Sequence, residues 1–330
     1  MHARQRITHY ARYRLSYAAC IVFAVGLVLS PAVQATPDSV NTLYDYQATT
    51  PSGQPLSLIQ VADHVENADI VLIGEWHSHP GVHRFQTELL NQLADRHPVA
   101  LSMEQFSRDA QPVVEQYLSG DIGEDTFKRR ANAWDNYDGS YRPLMELAKQ
   151  RQIDVIAANA PKSMVSCIGQ QGLTYLSGLS DEQRSWFAKT IDTQDSPYKQ
   201  KFKANMHHGT SSQTNAQYAA QLAWDATMAE SMVRYHHHHP DRQIVHIAGR
   251  FHIAEGIGTA AQIQARDNDL TIALITAVSD NTTLMKDAPD YRLHVMPMPQ
   301  RWQSMEEMRK AVGTMKRNGP SRCQSENSDI

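Results

Sequence analysis

Residues 69–77 read Asp69-Ile70-Val71-Leu72-Ile73-Gly74-Glu75-Trp76-His77, and this stretch decides the fold class. A short continuous apolar run between helical stretches reads as a strand buried on both faces. Before it, Leu58, Val61, Ala62 and Val65 repeat at helical spacing, and after it Val82, Phe85, Leu89 and Leu93 form one apolar stripe behind Pro80. The same kind of run recurs at 99–103, 154–158, 243–248 and 270–278, and a looser alternation at 43–49 reads as a further strand. Strands alternating with helices predict an α/β fold with a largely parallel central sheet flanked by helices. Residues 105–150 and 161–240 exceed a minimal βαβ repeat and are expected to be helical insertions over one end of the sheet. Residues 36–300 then form the α/β domain, and 301–330 a C-terminal helix and polar tail.

Four of these strand ends carry polar residues: Glu75 and His77, Glu104, Asn159, and Arg250 with His252. Ligands in open α/β sheets bind beyond the carboxyl ends of the strands, so these side chains are expected to converge. Residues 70–77 and 245–252 echo one another as strand, Gly, x, x, His, with an aromatic before each His. Any one of these residues is accounted for as a satisfied loop group, but the repetition argues for a shared site. Two imidazoles and two carboxylates suit a divalent metal held by Glu75, His77 and His252. They equally suit acid–base work on water, with Glu75 or Glu104 as base. Gly74 and Gly249 permit close backbone approach at the strand exits.

Other motifs are less specific. His79 and His83 lie four apart on one helix face, as ligands, supporting groups or exposed helix-start residues. Trp134, Tyr137 and Tyr141 form an aromatic cluster in the first insertion. It suits core packing, for Trp134 above all, or the wall of a flat cofactor. Tyr137 and Tyr141 are expected to be more open because polar residues surround them, with a Tyr phenolate as a candidate haem ligand. His236 to His239, and His207-His208, read as solvated segments with incidental metal affinity.

The N-terminus is read separately. Arg4, Arg6, Arg12 and Arg14 precede an apolar run of 12 residues from Ala18 to Leu29, then Val33-Gln34-Ala35. This is the pattern of a cleavable secretory signal peptide over 1–35 and predicts a periplasmic protein. The run falls short of the roughly 20 residues that span a bilayer. An uncleaved anchor and a lipid anchor at Cys20 are the alternatives. The chain carries 31 basic and 35 acidic residues, and loss of the four leader arginines leaves 27 basic residues. That acidic balance argues against nucleic acid as a partner. Cys167 and Cys323 remain to pair in an oxidising compartment, with no distance fixed by the sequence.

Six segments in order resemble the ChaN-like family of the haem-binding uptake and Tiki superfamily. They are Gly74-Glu75-Trp76-His77 with His83, Met103-Glu104-Gln105-Phe106, Tyr141-Arg142-Pro143-Leu144, Asn159-Ala160-Pro161-Lys162, residues 224–230, and Ala248-Gly249-Arg250-Phe251-His252. The resemblance runs from about residue 43 to 278. It implies a ChaN-type fold, an envelope location, and haem bound between two subunits through Tyr for iron uptake. The partners it implies are haem or another small ligand, a second copy, and envelope uptake components. His77, His83, Tyr137, Tyr141, Arg250 and His252 are the candidate haem-contacting residues. Hydrolases in the wider superfamily make a protease- or esterase-like enzyme the rival reading. Many ChaN-like proteins look like lipoproteins, and this leader departs from that pattern.

Cleavage after Ala35 predicts that the exported form starts at Thr36. Its intact mass checks this, and a start at Cys20 with added lipid mass would establish the anchor instead.

Overall fold

Residues 70 to 73 alternate strictly between two cores. Val71 and Ile73 face one, Ile70 and Leu72 the other, and all four are fully buried. This double burial selects apolar residues at every position of a strand in a two-sided sheet. The computed structural model describes residues 40–205, 210–282, 284–315 and 323. The expected signal peptide, His207-His208 and most of the polar tail lie outside these residues.

The first elements are β1 (Tyr46–Thr49), β2 (Pro55–Leu56), α1 (Leu58–Val65), β3 (Ile70–Glu75), α2 (Pro80–Ala94) and β4 (Val99–Ser107). Four helices follow: α3 (Gln111–Ser119), α4 (Glu124–Arg130), α5 (Tyr137–Ser140) and α6 (Arg142–Arg151). Next come β5 (Asp154–Asn159), α7 (Lys162–Gln171), α8 (Asp181–Ser185), α9 (Pro197–Asn205) and α10 (Ser211–His238). The chain continues through β6 (Gln243–Gly249), α11 (Arg250–Ile253), α12 (Thr259–Gln264), β7 (Ile272–Val278), β8 (Tyr291–Val295) and α13 (Met305–Met315). The eight strands lie in the order β2-β1-β8-β7-β3-β6-β4-β5. From β8 to β5 every pairing is parallel, and at one edge β1 runs antiparallel to both of its neighbours, β8 and β2. Parallel neighbours bring the ends of β3, β6 and β4 side by side.

Helices from both long inter-strand stretches pack on the faces of the sheet. Residues from α2, α3 and α6 share a core with Val71, Ile73, Leu101 and Val245. On the opposite face Met228, Ala229 and Met232 of α10 pack against Ile70, Leu72 and Ile244. The polar composition of 161–240 hid this, because the 28-residue α10 buries a stripe of small residues and methionines. Cys167 and Cys323 are disulfide-bonded, closing a separation of 156 residues, and Gln171 Nε2 donates to the Cys323 carbonyl at 2.7 Å. No helix among the described residues is long and apolar enough to cross a membrane.

Candidate functional site at the ends of β3, β4 and β6

The alternation that buries β3 carries Glu75 into the α2–α6 layer, where its side chain has no exposure. An unpaired carboxylate there would cost several kcal/mol, and the structure meets this with a ring of donors. Oε1 accepts from His77 Nδ1 at 2.9 Å, Tyr141 Oη at 2.7 Å and Gln105 Nε2 at 3.2 Å. Oε2 accepts from Gln86 Nε2 at 2.6 Å and faces His83 Nδ1 at 3.5 Å. Burial raises the Glu75 pKa, but the His77 bond and the nearby His83 and His77 charges outweigh it, so the carboxyl titrates below its ordinary range. Glu75 is therefore an anchor with both oxygens engaged, not a base open to water or to a metal.

That anchor orients His77. Nδ1 faces a carboxylate and carries a proton. Burial disfavours charge on the ring, but the Glu75 bond and the Glu104 and Glu75 charges outweigh it and raise its pKa, so Nε2 is the nitrogen that gains or loses the second proton. Nε2 makes no hydrogen bond among the described residues, and the side chain is 43% exposed. Gly249 supports the ring: a Cβ there would lie 2.9 Å from His77 Cε1 and Nε2. At Gly74 a Cβ would lie 3.1 Å from Arg250 Cα and from Ile253 Cβ, so both strand-exit glycines serve close approach. Trp134 meets the His77 ring edge-on at 4.9 Å. The Arg250 guanidinium lies 5.8 Å over the Trp76 ring, with Nε donating to the Ala277 carbonyl at 3.2 Å. Burial lowers the Arg250 pKa against the pull of Glu255 and Asp290.

The end of β6 serves the other layer. The His252 Nδ1 donates to Asp225 Oδ1 at 2.9 Å, and its Nε2 faces Glu104 Oε1 at 3.7 Å. Asp225 is fully buried in α10 and also accepts from Thr259 Oγ1 at 2.7 Å and Tyr198 Oη at 2.8 Å. Burial disfavours charge on His252, but Asp225 and then Glu104 overcome it and raise its pKa to about 9. Glu104 itself accepts from the Gly249 N–H at 2.6 Å. Asn159 closes the next strand end, donating to the Glu104 carbonyl at 3.0 Å.

The strand-end residues thus converge, but from two sides: His77 on the Glu75 layer and His252 on the Asp225 layer, with Glu104 between them. Glu75, His77 and His252 do not form a metal cradle. Among the described residues no group of three or more His, Cys, Asp or Glu is arranged to hold a metal ion. Tyr137 and Tyr141 are not open groups. Both are 1% exposed, Tyr137 against Phe127 and Tyr141 against Trp134 and His83. Burial pushes both phenols well above their usual range, for Tyr141 with the added effect of Glu75, which opposes a phenolate ligand. Asp135 and Asp138 face out, while these two rings face in and Asn136 donates to the His77 carbonyl. His79 and His83 are buried too: His79 Nε2 bonds the Met296 carbonyl at 2.8 Å and His83 Nε2 the His77 carbonyl at 3.1 Å. In the histidine run, His237 pairs with Asp267 at 2.6 Å and His239 packs on Tyr235. The sequence assigned no role to Gln86, Gln105, Asp225 or Gln221, whose Nε2 lies 3.0 Å from His252 Nδ1 and donates to Tyr198 Oη at 3.0 Å. The available signal was a lone Asp among the small and apolar residues of 219–229.

A protein-family model described as "Haem-binding uptake, Tiki superfamily, ChaN" matches residues 61–263. A solved structure of cofacial haem binding to ChaN of Campylobacter jejuni is 15% identical with a TM-score of 0.56, covering 76% of this chain and 96% of that one. An erythromycin esterase, EreC, is 13% identical with a TM-score of 0.44, covering 81% of this chain and 87% of that one. No curated protein sequence matches the chain.

Glu75→Gln puts an amide N–H₂ among groups that donate, and is expected to cost about 2–4 kcal/mol of stability. Denaturant unfolding measures this, and a cost below about 1 kcal/mol would remove Glu75 from its anchoring role. A raised folded-state pKa at His252 stabilises fully below the ordinary value of 6.5, and this contribution is lost as pH rises through about 9. Stability should therefore fall by of order 2–3 kcal/mol from this group between pH 6 and 9.5. Asp225→Asn should flatten that slope, and an unchanged slope would show that Asp225 does not hold the charge.

Proposed function

Because this chain belongs to the haem-binding uptake family, ChaN, of the Tiki superfamily, we propose that it binds haem at the exposed His77 face and serves haem uptake in the periplasm. The observation that carries this reading is the state of His77. A half-exposed imidazole, its Nδ1–H fixed on a buried carboxylate and its Nε2 free, is how proteins present histidine to iron. The carboxylate raises the basicity of the ring and fixes its orientation. Trp76 and Trp134 supply flat apolar surface beside it, and Arg250 supplies a cation suited to a propionate. These residues fit haem, whereas the buried Tyr137 and Tyr141 do not fit as its ligands. Haem is cargo here. The protein's part is to offer one nitrogen donor, an aromatic wall and a positive charge. The exposure of His77 leaves room for a second copy to cover the ligand, and the leader-like N-terminus supports delivery to the envelope, where uptake components would receive it.

A second reading rests on one observation: two carboxylate-backed imidazoles approach Glu104 from opposite layers. In a hydrolase, Glu104 would be the base, and protonated His252 an acid. Glu75 is excluded from that role by its saturated oxygens.

Haemin titration of the mature chain should shift the Soret band, and His77→Ala should weaken binding by roughly 10-fold or more. Tyr137→Phe should leave the ligand signature unchanged. No Soret shift, or one indifferent to His77→Ala, would sink the haem reading. Glu104→Gln should keep haem affinity within about 1–2 kcal/mol. Ester or peptide cleavage abolished by Glu104→Gln would instead establish the hydrolase.

A further inference from the structure

A cavity of about 750 Å³ lies against α10 and α12, under the segment 189–196, and the site above makes no use of it. Tyr218, Leu222, Val233 and Ile257 give it apolar walls, and Lys189, Arg234 and Arg266 line it with positive charge. Three carboxylates also line it, but two are already neutralised by cations that do not. Asp195 pairs with Lys199 at 2.9 Å, and Glu230 takes Arg108 Nη1 at 3.1 Å along with the Lys189 backbone N–H at 2.8 Å. That leaves Lys189, Arg234 and Arg266 facing Asp192.

Arg266 makes the imbalance concrete. It is half-buried, yet its N–H groups reach only neutral oxygens: the Gln262 carbonyl at 2.8 Å, Gln262 Oε1 at 3.0 Å and the Thr190 carbonyl at 2.8 Å. Its pKa is lowered by burial against the pull of Glu230. Arg108, buried behind the wall, is pushed down to about 10 by burial, with Arg234 and Arg266 adding to the effect against Glu230. Partly desolvated cations that crowd one another favour an incoming anion.

We propose that this cavity is a second ligand site, which binds an organic anion with an apolar body. The head group would sit at Arg234 and Arg266, and the body along Leu222, Val233 and Ile257. The volume falls within the usual range for small-molecule sites, roughly 300–1,000 Å³.

Decanoate serves as the probe, titrated calorimetrically into the disulfide-bonded mature protein at low salt, with decylamine as its cationic counterpart. Saturable decanoate binding that weakens with added salt is expected, with decylamine binding at least about 10-fold more weakly. Arg234 is exposed on α10, so Arg234→Gln should fold normally and weaken decanoate about 10-fold, while Arg234→Lys stays within about threefold of wild type. Haemin binding by Arg234→Gln should match wild type, which separates this site from the His77 face. Absence of saturable decanoate binding, equal binding of decylamine, or an unchanged affinity in a folded Arg234→Gln protein would each overturn the proposal.

Discussion

A carboxylate without access to water sits at the end of the central strand, and the architecture around it answers that one cost. Glu75 draws donors from its own strand exit, from α2, from β4 and from the Tyr141 that opens α6. Each of those elements is thereby pinned at its site-facing end. The network presents the Nε2 of His77 at the surface without a hydrogen bond among the described residues. Burial of the acid and availability of the base are two sides of the same arrangement.

The second dyad repeats the logic on the other face of the sheet. Period-two alternation sends consecutive residues of β4 to opposite layers, so Glu104 serves His252 while Gln105 serves Glu75. The register adds a further asymmetry. Glu75 pairs with Gly249, one residue out of step with the sequence echo that aligns Gly74 with Gly249. The two Gly-x-x-His copies therefore do not superpose in the sheet. One His caps a strand within the α2–α6 layer, and the other rides on the short helix α11 into the α10 layer.

The parallel core and its polar strand ends were legible because continuous apolar runs leave no other placement. The assignment of Glu75 to a face was legible too, since counting by twos from Ile73 puts it with Val71. Roles within the site were not. A sequence shows that Glu75 and His77 are close, but not that four further side chains occupy the carboxylate. Tyr137 and Tyr141 misled because polar neighbours suggest exposure, whereas a short helical segment can turn its rings inward while Asp138 remains wet. Asp225 was hidden because its partners, Tyr198, His252 and Thr259, come from separate segments that only the fold brings together.

The saturation of Glu75 also bears on how such a site can diverge. Removing one donor leaves a buried lone pair, and enlarging one crowds the others, so the effects of changes at Gln86, Gln105, His83 and Tyr141 do not add. Substitutions tolerated together would be harmful singly. The path from this site to one with a different ligand therefore runs through coordinated replacement, or through first loosening the layer that keeps water out. Arg250, at the rim, makes no bond to Glu75 and can change by itself, so new ligand preferences can arise there while the anchor beneath stays fixed.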